Sequence, residues 1–184
     1  MTTIYLVQHG DKERMPGDPG LTELGRGQAA VTAQRLQDMG LDALYSSPLR
    51  RAQETARPIG HATGLAIQVD SRLRERLNWE SSQTFDAFLA DWDRSTKDRD
   101  LVLGNGESSR SAGERLREFL ASLAGANGPV AVVSHGGVTT DLLRTLLGDD
   151  GLPLRLMHEG IPPCAITTLD DLHVIRIADT GHLS

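Results

Sequence analysis

The sequence predicts an α/β protein: three layers, α/β/α, around a mostly parallel sheet, with antiparallel pairing at the C-terminal end. Three observations carry this. Short β-branched runs alternate with segments whose apolar residues recur at helical spacing. Two of those runs end in His-Gly, at His9-Gly10 and His135-Gly136. The last two runs face each other across Asp170-Asp171, as in a hairpin.

Taken in order, residues 4–8 (Ile-Tyr-Leu-Val-Gln) read as the first strand. Residues 12–20 hold Pro16, Gly17, Pro19 and Gly20 and read as a polar loop. Thr22 is placed to cap a helix running to about Met39, with Ala29, Ala33 and Leu36 on one face and Gly40 as its stop. Residues 43–45 form a short strand. A helix then begins near Pro48 and carries Leu49, Ala52, Ala56 and Ile59 at helical spacing. Residues 65–69 are a third strand and residues 70–80 are charged and irregular. Residues 84–94 suggest a short helix whose Phe85, Phe88, Leu89 and Trp92 face inward. After a polar connection over 95–107, Ser111-Ala112-Gly113-Glu114 has the form of a capping box opening a helix with Leu116, Phe119, Leu120 and Leu123 on one stripe. Residues 130–133 are a central strand, 138–147 a helix, and 165–169 with 173–177 the terminal hairpin. No repeat, low-complexity stretch or linker interrupts the chain, so residues 1–184 read as one domain.

Composition narrows the function. Of the 184 residues 39% are hydrophobic and 24% charged, a globular balance. The net charge of −6 argues against general nucleic-acid binding. The one cysteine, Cys164, allows no internal disulfide and no structural zinc site. No run approaches the roughly 20 apolar residues needed to span a bilayer, and no signal-peptide pattern opens the chain. The expectation is a soluble cytoplasmic protein without nucleic-acid or membrane partners.

In open α/β sheets ligands sit outside the carboxyl ends of the strands. Three strands end there in polar residues: Gln8-His9-Gly10, then Ser46-Ser47 followed by Pro48-Leu49-Arg50-Arg51, then Ser134-His135-Gly136-Gly137. A helix starting just after His135 points N–H groups at the same place and favours an anion. Arg51, early in its helix, adds a fixed cation. Singly, each piece has a plain alternative: a strand-end His is often a satisfied polar residue, and Arg50-Arg51 is often a solvated face. Together they read as a phosphate site.

Here the chain resembles the histidine phosphatase superfamily of phosphoglycerate-mutase-like and broad-specificity phosphatases. The resemblance rests on Gln8-His9-Gly10, on Leu21-Thr22-Glu23-Leu24-Gly25-Arg26-Gly27-Gln28-Ala29, and on Ser47-Pro48-Leu49-Arg50-Arg51-Ala52-Gln53-Glu54-Thr55. Leu73-Arg74-Glu75 with Trp79-Glu80, Gly106-Glu107-Ser108 and Val133-Ser134-His135-Gly136-Gly137 follow in order. It implies the phosphoglycerate-mutase-like fold and a phosphomonoesterase needing neither metal nor cofactor. His9 would be phosphorylated, Glu75 would be the general acid and base, and Gln8, Arg51, His135 and Gly136 would bind phosphate. The substrate would be a small phosphorylated molecule; neither its identity nor the oligomeric state follows from the sequence. The length argues for a phosphatase over a mutase.

One position departs from the family's pattern. Gln8 stands where the family has arginine, and brings amide donors without charge. Lys12 and Arg14 lie close by in a loop read as solvent-facing, with the alternative that one replaces the missing cation. Arg72, Arg74 and Arg76 flank Glu75 and would oppose its protonation if they faced it. Met157, Trp79 and Phe85 hint at an apolar wall but are first read as ordinary core. Other readings are a silent phospholigand-binding protein, motivated by Gln8, and a protein-phosphohistidine phosphatase. A serine esterase is weaker, since no Gly-x-Ser-x-Gly occurs.

Overall fold

A six-stranded sheet forms the centre of the molecule, which is a computed structural model describing residues 1–104 and 106–184. Its strands are β1 (Thr3–Gln8), β2 (Ala43–Ser46), β3 (Ile67–Val69), β4 (Val130–Ser134), β5 (Ile166–Asp170) and β6 (His173–Asp179). They lie in the order β3-β2-β4-β1-β5-β6. β1 through β4 pair parallel, whereas β5 pairs antiparallel with both β1 and β6. The expected α/β architecture is therefore present, including its antiparallel C-terminal edge.

The helices are α1 (Glu23–Gln37), α2 (Arg50–Thr63), α3 (Phe85–Lys97), α4 (Ser109–Ala121), α5 (Gly136–Leu147) and α6 (Leu154–Glu159). Strand side chains alternate between the two faces of the sheet. On one face Ile4, Leu6, Val130 and Val132 pack against Leu116, Phe119 and Leu120 of α4 and Val138 and Leu142 of α5. On the other, Val7, Leu44, Ala131 and Val133 meet Ala33 and Leu36 of α1 and Ala52, Ala56 and Ile59 of α2. β4 is buried along its whole length, which accounts for its uninterrupted apolar run.

Three local expectations are corrected. The N-cap of α4 is Ser108, one turn before the capping box, and its hydroxyl accepts from the amide of Ser111 at 3.1 Å. Tertiary contact settles the choice: Ser109 in the added turn donates to the buried carboxylate of Asp141 at 2.5 Å. Second, α3 runs on to Lys97, and its buried residue is Ser95, not its aromatic side chains. Phe85, Phe88 and Trp92 line a cavity, and Leu89 is 46% exposed, because α3 lies over that cavity and not on the sheet. Third, α6 was not anticipated; six residues are too few to display a helical period, and Leu156 is its only buried side chain. Asn105, within the expected polar connection, lies outside the described residues. Among the described residues no helix is long and apolar enough to cross a membrane.

Candidate active site

The register of β1 on β4 builds the site. Gln8 is paired with Ser134, so the residues that follow, His9 and His135, leave the sheet side by side. The His9 amide donates to Ser134 O at 3.1 Å, which holds the two strand ends together. The imidazole rings meet edge to face with centroids 5.3 Å apart. β2 is the other parallel neighbour of β4, and it delivers Ser47 to the same edge, where Ser47 Oγ lies 2.7 Å from His135 Nε2.

Each imidazole has a defined orientation. His9 Nδ1 lies 2.8 Å from Gly10 O, so Nδ1 carries the hydrogen and Nε2 is left as the lone-pair nitrogen. Gln8 Nε2 is 3.3 Å from that nitrogen and donates to it. Ser47 Oγ also accepts from the Leu49 amide at 3.3 Å. His135 Nδ1 is buried and, among the described residues, without a partner. Burial, followed by the charge of Arg51, lowers His9 to about 3. The same two effects, joined by His9, push His135 well below the usual histidine range. Both rings are neutral near pH 7.

Arg51 sits in the first turn of α2 with its side chain buried, and Nη2 donates to Asn78 Oδ1 at 3.0 Å. Asp18 is 3.8 Å from Nη1. Thr55, one turn on, accepts from the Gly10 amide at 3.0 Å and donates to Arg51 O at 2.8 Å. It therefore ties the His9 loop to the helix that carries Arg51. Among the described residues Arg51 Nε, His135 Nδ1 and Gln8 Oε1 are all buried without partners. Buried polar atoms are nearly always paired, so three orphans at one strand edge mark a place for a ligand.

Glu75 reaches the site because Ser134 Oγ donates to Leu73 O at 2.9 Å, drawing the irregular segment over the end of β4. Its carboxylate accepts from the amides of Gly137 and Val138, each at 2.9 Å, and from Arg76 N at 2.9 Å. The N-terminal amides of α5, expected to face an anionic ligand, are thus taken by Glu75. Gly137 is required there, since a Cβ would stand 2.6 Å from Glu75 Oε1 and 2.3 Å from Trp92. Gly136 opens α5 beside the Gln8 amide; a Cβ there would stand 3.3 Å from it. None of the flanking arginines is paired with Glu75: Arg72 pairs with Asp70, Arg74 with Glu107 and Arg76 with Asp141.

A cavity of about 540 Å³ opens over this cluster, with Gln8, His9, Lys12, Arg51, Glu75 and Gly136 in its wall. His135 lies behind the wall, fully buried against His9. Two expectations change. Lys12 is not a free surface residue: burial, then the charges of Arg51 and Arg14, lower its pKa, with Glu75 and Asp11 opposing. Arg14 instead lies over the ring of Phe85 at 5.3 Å. Trp79, Phe85 and Met157 are cavity wall, none of them fully buried. The structural parts played by Ser47, Thr55 and Asn78 were not assigned from sequence. Ser47 and Thr55 fall within the quoted motif, whereas nothing local marks Asn78.

The ensemble is a neutral imidazole whose lone-pair nitrogen accepts only from the Gln8 amide, with two cations and a carboxylate at one end of a cavity. The chain belongs to the histidine phosphatase superfamily (branch 1), whose pattern it matches over residues 4–172. It is 35% identical over 166 residues to the probable phosphoglycerate mutase GpmB of Yersinia pestis, covering 80% of this chain and 76% of that protein. Among solved structures it resembles a mycobacterial glucosyl-3-phosphoglycerate phosphatase in complex with inorganic phosphate, with a TM-score of 0.80, 29% identity and full coverage of both chains. YhfR of Bacillus stearothermophilus superposes with a TM-score of 0.77 at 28% identity, again over both whole chains.

Proposed function

We propose that the protein is a metal-independent phosphomonoesterase that acts on small phosphorylated substrates through a phosphohistidine on His9. The observation that carries this reading is the state of His9: neutral, with Nδ1 held by Gly10 O, Nε2 beside the Gln8 amide, and the ring in the wall of the cavity that Arg51 and Lys12 also line. A neutral imidazole of fixed tautomer is a competent nucleophile. The similarity to a phosphatase solved in complex with inorganic phosphate supports a phosphorylated substrate.

In the proposed reaction His9 Nε2 attacks phosphorus while the P–O bond to the alcohol breaks. Glu75 gives its proton to the leaving oxygen. In the second half Glu75 takes a proton from water, the water oxygen attacks phosphorus, and the N–P bond breaks to release phosphate and neutral His9. Arg51 and Lys12 meet the charge on the transferring phosphoryl group, the task a metal performs in other phosphatases. The Gln8 amide adds a neutral donor, and His135 packs behind His9. Lys12 then supplies the charge that Gln8 lacks.

The test is direct. The protein is incubated with a phosphomonoester in the presence of a chelator, quenched in alkali and read by mass spectrometry. Phosphate on His9, with His9→Ala losing both label and turnover, is the expected result. A second reading, phospholigand binding without turnover, is motivated by Gln8 standing 3.3 Å from the nucleophilic nitrogen. Tight phosphate binding with no label and no turnover would favour it.

A further inference from the structure

We propose that Arg115 and Glu107 are positioning residues that set the place of Glu75, which rests on Glu75 being the general acid and base. Neither side chain lines the cavity over His9, so neither touches a substrate held there. Both act on the backbone that carries Glu75.

That backbone is irregular. Between the short helical turn Ser71–Leu73 and α3 the chain forms no helix or strand, so its polar groups must find partners elsewhere. They find them one by one. Arg115 Nη1 donates to Arg72 O. Ser134 Oγ donates to Leu73 O at 2.9 Å. Arg115 Nη2 donates to Arg74 O at 3.1 Å, and the Glu107 amide donates to Arg76 O at 3.1 Å. The carbonyls on both sides of Glu75 are thereby tied to α4 and to the loop that leads into it.

Glu107 also orients the fork. Its Oε1 accepts from Arg115 Nε at 2.9 Å and from Nη2. Ser111 Oγ donates to its other oxygen at 3.4 Å. One planar guanidinium thus serves two carbonyls and a carboxylate, a geometry that a lysine ammonium does not offer. Gly106 allows the close approach: a Cβ there would stand 2.7 Å from Arg76 O. The base of the clamp is rigid, because Leu116 and Phe119 of α4 are fully buried in the same core as Leu73. A proton donor must lie within hydrogen-bond reach of the leaving oxygen, and small misplacements are costly in rate. The Arg115 and Glu107 side chains are 12% and 19% exposed. An ion pair this near the surface adds little to stability, so its loss should be read at Glu75 and not in the fold.

Arg115→Lys, which keeps the charge and removes the fork, tests this in the full-length chain. The readout is the kcat/KM ratio of an alkyl phosphate to 4-nitrophenyl phosphate. The ratio is expected to fall about tenfold, because only the alkyl leaving group needs the proton of Glu75. A general loss of folded protein lowers both rates alike and leaves the ratio unmoved. In a Glu75→Gln background the same substitution should not change the ratio further. A second measurement needs no turnover. The Gly137 and Val138 amides donate to Glu75, whereas the Thr139 amide donates to His135 O. In Arg115→Lys, hydrogen exchange at Gly137 and Val138 should quicken by about tenfold, with Thr139 unchanged. An unmoved ratio, a further fall in the Glu75→Gln background, or unmoved exchange at Gly137 and Val138 would each overturn the clamp. A native chain that turns over no phosphomonoester would remove the phosphomonoesterase reading, and the exchange measurement then decides the clamp alone.

Discussion

His9 Nδ1 lies 2.8 Å from the carbonyl oxygen of Gly10, and this contact decides which ring nitrogen carries the hydrogen. It fixes the tautomer but does not keep the ring protonated, because burial and the nearby Arg51 outweigh it.

A linkage between pH and stability follows. The folded-state pKa of His9 is about 3, below the ordinary 6.5, so the unfolded chain binds the proton more readily. The contribution is fully present above about pH 6.5 and is lost as pH falls from there towards 3. Between pH 7 and 5 the loss amounts to about 2 kcal/mol. Asp141, pushed up to about 6 by burial, acts in the opposite sense between about pH 4 and 6. The measurement is therefore comparative: urea unfolding at pH 7 and 5 should show a drop smaller by about 2 kcal/mol in His9→Gln than in the native chain. Equal drops would show that His9 is not held neutral by burial.

Lys12 should be a catalytic cation. Lys12→Met is expected to lower kcat/KM on a phosphomonoester by roughly 10²-fold, the scale of one lost charge-stabilising donor. Gln8→Arg should restore about tenfold in the Lys12→Met background and add less in the native chain, where Lys12 already serves. Gln8 is 8% exposed, and its amide faces Gly136, so the longer side chain must reach into the cavity. A double-mutant cycle with no coupling between the two positions would count against a shared role.

Glu75 should act on the leaving group. Glu75→Gln is expected to slow an alkyl phosphate by 10²- to 10³-fold and 4-nitrophenyl phosphate by less than about tenfold, since nitrophenolate leaves without a proton. Its carboxylate also accepts from the Gly137 and Val138 amides, so the thermal midpoint of the variant should be recorded alongside. Equal losses on both substrates would place Glu75 in structure alone.

Arg76 and Asp141 form a buried ion pair with Nε and Oδ2 2.8 Å apart and both side chains 2% exposed. Asp141→Asn leaves the guanidinium charge buried without its counter-charge, and should destabilise the fold by about 3–5 kcal/mol in urea unfolding. Arg76→Met combined with Asp141→Leu should cost markedly less, because no unpaired charge is left.

Much of this molecule is written locally. The strand–His–Gly units, the Ser-Pro-Leu-Arg-Arg turn and the alternation of strand and helix are patterns of a few residues, each set by side-chain size and backbone preference within one element. Parallel pairing of two such strands then brings His9 and His135 together with little further information. What required the tertiary structure was the destination of side chains whose neighbours are distant in sequence. The Thr84-capped helix has an apolar stripe that reads as core, yet it faces a cavity because the sheet beneath is already covered by α4 and α5. Lys12 follows a strand by a few residues and looks solvent-exposed, until Arg51 and Glu75 close around it. Glu75 takes the amides of α5 across 62 residues of chain. A residue's own neighbours in sequence set its backbone; only the packed fold decides which charges and rings surround its side chain, and here those surroundings set the chemistry.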